Sequence, residues 1–273
     1  MSIAPAPDSQ RAAIDPADPG PLKPNHFGPG HVGRALRAGW RVFRSLPGPS
    51  IGLATVLASA GAILAAAVIL IGASPLLLVL AGGFLLIAPA LLAGFFALFL
   101  CHERGEQPGI GAALDGFARA GPGFWVLAGL WTFLFLIWVT DAGVLYAFSV
   151  GSGPLLEPQF RPEAWPTLTN GVRQFALWSL PLGAVIALGL YCVSVFSVPL
   201  VYERRSGVVS AIHSSVAAVL QNPLGALTWG SVITLGTLLG IVLLPLLTVT
   251  LPILAYGGFA LYRTVLPVGR EPA

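Results

Sequence analysis

Along this chain polar positions are sparse, and apolar ones form long runs at about 50 to 72, 75 to 101, 123 to 150, 176 to 202, 224 to 246 and 248 to 265. Each reaches or approaches the ~20 residues a helix needs to cross the hydrocarbon core of a bilayer. After Arg44 no charged residue occurs until His102 and Glu103, a gap long enough for two such helices. The pattern predicts an all-α membrane protein with six transmembrane helices. The last two are the least distinct: no charge separates them, and Pro245 and Pro252 allow one kinked, re-entrant element in place of two spans. Whether 248–265 fully spans or re-enters stays open at this point.

Between the runs lie three shorter amphipathic stretches. Gly33-Arg34-Ala35-Leu36, Gly111-Ala112-Ala113-Leu114 and Val209-Ser210-Ala211-Ile212 open them, and Pro47 follows Leu36, as Pro223 follows Ile212, by eleven residues. In the first, Val32, Leu36, Trp40 and Phe43 recur at helical spacing, with Arg34, Arg37, Arg41 and Arg44 on the opposite face, the pattern of a helix lying in a membrane interface. Ile212, Val216 and Val219 repeat the stripe without arginines, which predicts a copy buried against its neighbours. The end of the second run, from Pro89 to Phe99, is echoed from Pro252 to Tyr262 by a shared P-x-L-x-x-G-x-F-A-L-aromatic skeleton. The expected organisation is three parallel repeats of an interfacial amphipathic helix plus a transmembrane hairpin, at about 31–104, 109–205 and 207–265. A disordered cytoplasmic tail is expected over 1–30, rich in Pro, Ala, Asp and Gly, and a second tail over 266–273.

Charge orients the chain. With six spans, twelve basic residues share one side: Arg11, Lys23, Arg34, Arg37, Arg41, Arg44, Arg104, Arg119, Arg204, Arg205, Arg263 and Arg270; only Arg161 and Arg173 fall on the other. The positive-inside bias then places both termini in the cytoplasm. Trp125, Tyr146, Tyr202 and Tyr262 fall near span ends, where amphipathic rings favour the headgroup level. Composition agrees with a lipid solvent, at 56% hydrophobic and 9% charged residues. No basic patch with interleaved aromatics points to nucleic acid.

Little in the sequence carries chemistry. Cys101 and Cys192 read as free, apolar thiols. Cys101, His102 and Glu103 are adjacent on a helix and so point in different directions, which argues against one metal gathering all three. No paired carboxylates, nucleophile with a base or phosphate loop appears, so no catalytic residue, metal ligand or cofactor is expected. Asp141 is the one acid inside an apolar run, a candidate intramembrane ionisable group; its place near the outer end of the third span also fits pairing with Arg173 or solvation. If the three units are real, the cytoplasmic ends of the second, fourth and sixth spans should converge. Glu103, Arg104, Glu203, Arg204, Arg205 and Arg263 would then form one cluster, the candidate functional surface. The four arginines of the first interfacial helix form a second candidate, a basic face for anionic lipid.

The Phe84 to Gly94 run, the Glu103-Arg104-Gly105-Glu106 turn, the stretch from Ser197-Val198-Pro199-Leu200 through Glu203-Arg204, Ser214 and Ala218-Val219-Leu220 to Asn222-Pro223, and the tail from Leu251-Pro252 to Leu261-Tyr262-Arg263 carry a resemblance. Over about 31 to 265 the chain resembles an uncharacterised family of bacterial integral membrane proteins, domain of unknown function 2189. It departs from the family's pattern at Tyr256, Gly257 and Ala260, where histidines are common, and at Glu203, where an aspartate is. The resemblance implies a multi-pass protein of the bacterial inner membrane and supplies no activity, substrate or cofactor. Two function classes remain: a non-catalytic membrane module that binds a protein partner or lipid, and a transporter or channel for a small solute or ion, with its path between kinked helices.

Overall fold

The computed structural model describes residues 20–70, 91–150 and 170–267. Among these the chain is all-helical: α1 (Pro29–Ser45), α2 (Pro47–Leu70), α3 (Ala93–Glu103), α4 (Ile110–Arg119), α5 (Pro122–Val150), α6 (Asn170–Ser194), α7 (Ser197–Tyr202), α8 (Val208–Gln221), α9 (Pro223–Val242) and α10 (Leu244–Val265). Four stretches are long and apolar enough to cross a membrane: Pro47–Ala67, Pro181–Tyr202, Pro223–Gly240 and Leu244–Val265. A fifth is added if Ile110–Arg119 and Pro122–Trp138, bent by 89° at their junction, are taken together. Most of the expected second span, 75 to 101, falls outside the described residues, as do Arg161 and Arg270.

The last two apolar runs form two helices, not one kinked element. The chain leaves the helical region at Leu243 (φ −117°, ψ 78°), and Pro245 starts α10 where a missing N–H costs nothing. Glycines let α9 and α10 close into an antiparallel hairpin: a Cβ on Gly240 would stand 2.8 Å from Leu247 Cδ1, one on Gly236 3.0 Å from Leu254 Cδ1, and one on Gly258 3.4 Å from Trp229 Cζ2. Pro252 is absorbed within α10.

Prolines also set the entry into two spans. Leu46 before Pro47 (φ −129°, ψ 52°) and Asn222 before Pro223 (φ −131°, ψ 57°) have nearly the same non-helical backbone, because a following proline disfavours the helical region for its predecessor. The amphipathic helices that precede them do not lie apart from the bundle. α1 crosses α10, where a Cβ on Gly39 would come within 2.7 Å of the Gly257 nitrogen. α4 crosses α3, where a Cβ on Gly116 would come within 2.8 Å of the Ala93 carbonyl. α8 lies against the joint between α6 and α7.

That joint interrupts the run expected to continue from 176 to 202. The chain breaks around Val195–Phe196, and Ser215 of α8 bridges the break: its hydroxyl donates to the Cys192 carbonyl (2.8 Å) and accepts from the Phe196 N–H (3.1 Å). Backbone groups freed by the break are thereby satisfied within the protein, as an apolar surrounding requires.

The densest packing lies at one end of the bundle. Phe95, Phe96, Phe99, Phe124, Tyr202, Tyr256, Phe259 and Tyr262 pack there, with the centroids of touching rings 4.8–6.3 Å apart. Tyr202 and Tyr262 are therefore packed inside the bundle, at 9% and 0% exposure, and do not face a surrounding lipid. Trp125 is exposed as expected, whereas the side chain of Tyr146 lies outside the described residues. Away from this end α2, α5, α6 and α9 present large exposed apolar side chains such as Ile63, Phe133, Leu177 and Leu235, the surface a lipid solvent would cover.

Three further expectations change. The reading of 1–30 as disordered does not hold over 20–28, which form a strap across α8, α9 and the end of α10, with Phe27 4% exposed and meeting Phe196 edge to face at 5.6 Å; residues 1–19 lie outside the described residues. In α1 the buried stripe is Val32, Ala35, Gly39, Val42 and Phe43, so Trp40, expected to pack inward, is 45% exposed. In α8 the buried stripe is Ala211, Ser214, Ser215, Ala218 and Val219, with Ile212 and Val216 only half-buried at its margin.

Candidate functional site

The charged ends of three apolar helices meet. Arg263, in the last turn of α10, directs Nη2 at two carboxylates, Glu203 Oε1 at 2.5 Å and Glu103 Oε2 at 3.3 Å. Glu203 sits just past α7 with its side chain 9% exposed, and its second oxygen accepts from the Tyr262 hydroxyl at 2.8 Å. Arg205 completes the group: Nη1 donates to Tyr262 Oη (2.6 Å) and to the Leu266 carbonyl (2.8 Å), and Nη2 donates to the Pro267 carbonyl (2.6 Å). Arg205 and Glu203 approach to 3.9 Å, and their side chains are 17% and 9% exposed. The Arg205 and Arg263 guanidiniums each stand 5.5 Å from an aromatic centroid, Tyr262 and Phe259, close enough for cation–π attraction.

Two acids and two arginines balance within this group, so it holds no spare charge for an anion or cation. Its chemistry is cohesive: a half-buried network of charge-assisted hydrogen bonds that ties the end of α3, the chain after α7 and the end of α10. The Nε of Arg263 is buried and has no hydrogen-bond partner among the described residues.

The structure brings together Glu103, Glu203, Arg205 and Arg263, and leaves the two other members of the expected cluster outside it. Arg104 turns back to Glu106 (2.5 and 3.1 Å) and to Cys101 Sγ (3.2 Å), and this hydrogen bond holds the Glu106 carboxyl below its usual range. Arg204 donates to the Arg119 carbonyl at 3.1 Å. The reason lies in the turns that end α3 and α7. Glu106 N–H bonds to Cys101 O (3.0 Å) as Arg205 N–H bonds to Leu200 O (3.1 Å), with Gly105 (φ 71°) and Arg204 (φ 56°) in the left-handed position of each. In register, Arg104 and Glu106 of one turn correspond to Glu203 and Arg205 of the other, with the charges exchanged. The left-handed backbone turns Arg204 away from the bundle axis.

Cys101, His102 and Glu103 diverge as their spacing required. Cys101 is buried, His102 Nδ1 meets Ser45 Oγ at 3.0 Å, and Glu103 reaches Arg263. Both cysteines are free thiols. Among the described residues no three His, Cys, Asp or Glu side chains gather as metal ligands would. Asp141 is exposed on α5; the side chain of Arg173, its suggested partner, lies outside the described residues.

The four arginines of α1 are all exposed, on the side away from α10. The Ser45–His102 contact and the Glu103–Arg263 pair put the ends of α1, α3 and α10 at the same end of the molecule.

Sequence reasoning missed the polar seam under the strap, centred on Asn222, and the pair of Ser50 on α2 and Tyr256 on α10. Ser50 Oγ donates to the Leu46 carbonyl at 2.5 Å, so the Tyr256 hydroxyl, 2.7 Å away, is the donor between them. A proline-preceding asparagine was the one available signal for the seam.

No characterised protein and no solved structure matches this chain. The resemblance read over 31–265 is found over a narrower stretch, which contains Glu103 and Glu203 and excludes α1 and Arg263: residues 76–203 match the family described as a predicted integral membrane protein, domain of unknown function 2189.

Proposed function

We propose that this chain is a non-catalytic six-span module of a bacterial inner membrane, with both ends cytoplasmic, that offers its charged end to a membrane protein partner or lipid. In this reading it is built of three units, each an amphipathic helix followed by a transmembrane hairpin. The observation that carries it is the way the amphipathic helices lie: α4 crosses α3, α8 crosses the α6–α7 joint, and α1 crosses α10. Each unit's amphipathic helix thus rests on the second span of the preceding unit, and the first closes onto the last. The matched backbone at Leu46 and Asn222 supports the equivalence of the first and third units.

Transport is the weaker reading. Broken helices that line a path leave backbone groups open to the passing solute; here Ser215 occupies those at the α6–α7 joint, and the charges of Glu103, Glu203, Arg205 and Arg263 neutralise one another.

Cysteine labelling in a chain lacking Cys101 and Cys192 tests the topology. Positions 107 and 206 should react only from the cytoplasmic side and position 160 from outside; external labelling at 107 or 206 refutes the orientation. A circular permutant tests the ring. Asn25 N–H donates to the Val265 carbonyl at 2.8 Å, so the two ends of the described chain are neighbours. A permutant joined from Pro267 to Gly20 and opened at Gln107 should insert and melt close to the parent. Failure to insert would refute closure of α1 onto α10. Copurification of a fixed membrane protein in gentle detergent supports the module, and robust solute flux in proteoliposomes overturns it in favour of transport.

A further inference from the structure

We propose that the exposed face of α1 is a docking surface for the headgroups of anionic phospholipid at the mouth of the first span. The inference rests on reading α2 as a span with α1 on its cytoplasmic side, and it narrows the partner of that surface to one class.

Three observations meet at this face. The first is that α1 cannot roll. Its Gly39 is seated on the backbone of α10, and Val32, Ala35, Val42 and Phe43 are buried beside it. At 3.6 residues per turn, Arg34, Arg37, Arg41 and Arg44 then occupy an arc of about 80° on the far side, a row about 15 Å long. The row runs toward the membrane-entering element, because Leu46 alone separates α1 from the proline that opens α2.

The second observation is the state of the charges. Arg104, Arg119, Arg205 and Arg263 each pair with a carboxylate. Arg34, Arg41 and Arg44 form no ion pair among the described residues, and Arg37 spends only Nε, on the Gly33 carbonyl at 3.2 Å. Neither α1 nor α2 contains an acid. Four guanidiniums with free donor edges, side by side, match phosphate geometry, in which each can bond two oxygens.

The third is Trp40. It lies beside the arginine row, 45% exposed, with its ring braced on Phe43 at 5.6 Å. A half-exposed indole next to a row of cations suits the headgroup boundary, where its apolar body and N–H are both accommodated. An acidic peptide would use the arginines but gives no reason for the indole.

The test uses the full-length chain in nanodiscs containing phosphatidylcholine and phosphatidylglycerol, with retained lipid measured by native mass spectrometry after mild release. Each basic residue at an anionic surface contributes about fivefold in binding, screened by salt. The wild-type chain should therefore retain phosphatidylglycerol over phosphatidylcholine by well over tenfold at low salt. The combined Arg34→Gln, Arg37→Gln, Arg41→Gln and Arg44→Gln chain should fall to near parity. Parity in the wild type, or an undiminished preference in the glutamine chain, overturns the proposal. If the glutamine chain fails to insert, salt titration of the wild type decides: a preference that falls with salt supports the site, and one indifferent to salt refutes it. Binding of a glutamate-rich peptide in purely neutral nanodiscs, with no lipid preference, overturns it in favour of a protein partner. Arg41→Cys in a chain lacking Cys101 and Cys192 separates the layers. External labelling there topples the orientation itself, whereas internal labelling with lipid parity fails this inference alone.

Discussion

Gly39 and Gly257 meet backbone to backbone where α1 crosses α10: a Cβ on Gly39 would stand 2.7 Å from the Gly257 nitrogen and 2.5 Å from the Ile253 carbonyl oxygen. Neither atom belongs to a flexible side chain, so Gly39→Ala must push the helices apart. The expected loss is about 1–3 kcal/mol, as for other overpacked contacts. The reverse substitution is gentler. A Cβ on Gly257 would lie 3.4 Å from its nearest neighbours, the Ala35 carbonyl oxygen and the Trp229 ring, and alanine gains helix propensity over glycine. Thermal melting in detergent should show Gly39→Ala clearly destabilised and Gly257→Ala within about 1 kcal/mol of the parent. The opposite order would mean that α1 is not seated as described.

The ion cluster predicts unequal costs for two superficially similar acids. Glu203 is 9% exposed and pairs with Arg263 at 2.5 Å, whereas Glu103 is 42% exposed and pairs at 3.3 Å. Removing one partner of a buried pair costs about 3–5 kcal/mol; an exposed pair contributes about 0–1 kcal/mol. Glu203→Gln should therefore lower stability far more than Glu103→Gln, and the double variant Glu203→Gln with Arg263→Gln should lose less than the sum of its parts. Equal effects of the two acid substitutions would show that burial does not govern the cluster.

What could be read in the sequence follows from where each signal resides. The apolar runs and the charges at their ends are local patterns, so the spans around α2, α6–α7, α9 and α10 and the meeting of Glu103, Glu203 and Arg263 were legible. The fate of Arg104 and Arg204 was not. It depends on the left-handed residue that ends each helix, and one residue of register separates a side chain turned inward from one turned out. Trp40 misled because its helical angle lies between the buried stripe and the arginines, and only the Gly39 seat decides which margin is covered. Tyr202 and Tyr262 read as interfacial rings because neither sequence position reveals that a carbonyl (Gly116, 3.4 Å) or a carboxylate (Glu203, 2.8 Å) waits inside for the hydroxyl.

The turns after α3 and α7 invite a paired substitution. Gly105 and Arg204 hold equivalent left-handed positions, φ 71° and 56°, where a Cβ costs about 1 kcal/mol. Arg204→Gly should raise stability by about 0.5–1 kcal/mol, because the bond it loses to the Arg119 carbonyl is exposed and worth little. Gly105→Ala should lower stability by about 1 kcal/mol. Calorimetry of both variants checks the pair, and a destabilised Arg204→Gly would show that the arginine's bond outweighs the strain.

The strap over residues 20–28 turns on Asn222, which is 3% exposed and uses its side-chain amide fully. Its oxygen accepts from the Phe27 N–H at 2.9 Å and faces the His26 ring, and its nitrogen donates to the Ala218 carbonyl at 2.9 Å and the Asn25 carbonyl at 3.4 Å. These bonds also settle which amide atom is which, since only the oxygen can accept from a backbone N–H. Nearby, Leu22 N–H donates to Ser214 Oγ at 2.9 Å, and Gly225 leaves room for the strap, since a Cβ there would come within 2.6 Å of the Phe27 carbonyl oxygen. Asn222→Ala strands the buried Phe27 N–H, at a cost of about 1–3 kcal/mol. That penalty falls on the strap alone, because α1 is held separately by α10. Hydrogen exchange should therefore show the Phe27 amide protected in the parent and fast in Asn222→Ala, while amides in the middle of α1 keep their protection. Asn222→Asp should lie between the two, because a carboxylate still accepts from Phe27 but cannot donate to Ala218 or Asn25. Unchanged exchange at Phe27 in Asn222→Ala would show that ring packing on Phe196, and not the asparagine, holds the strap.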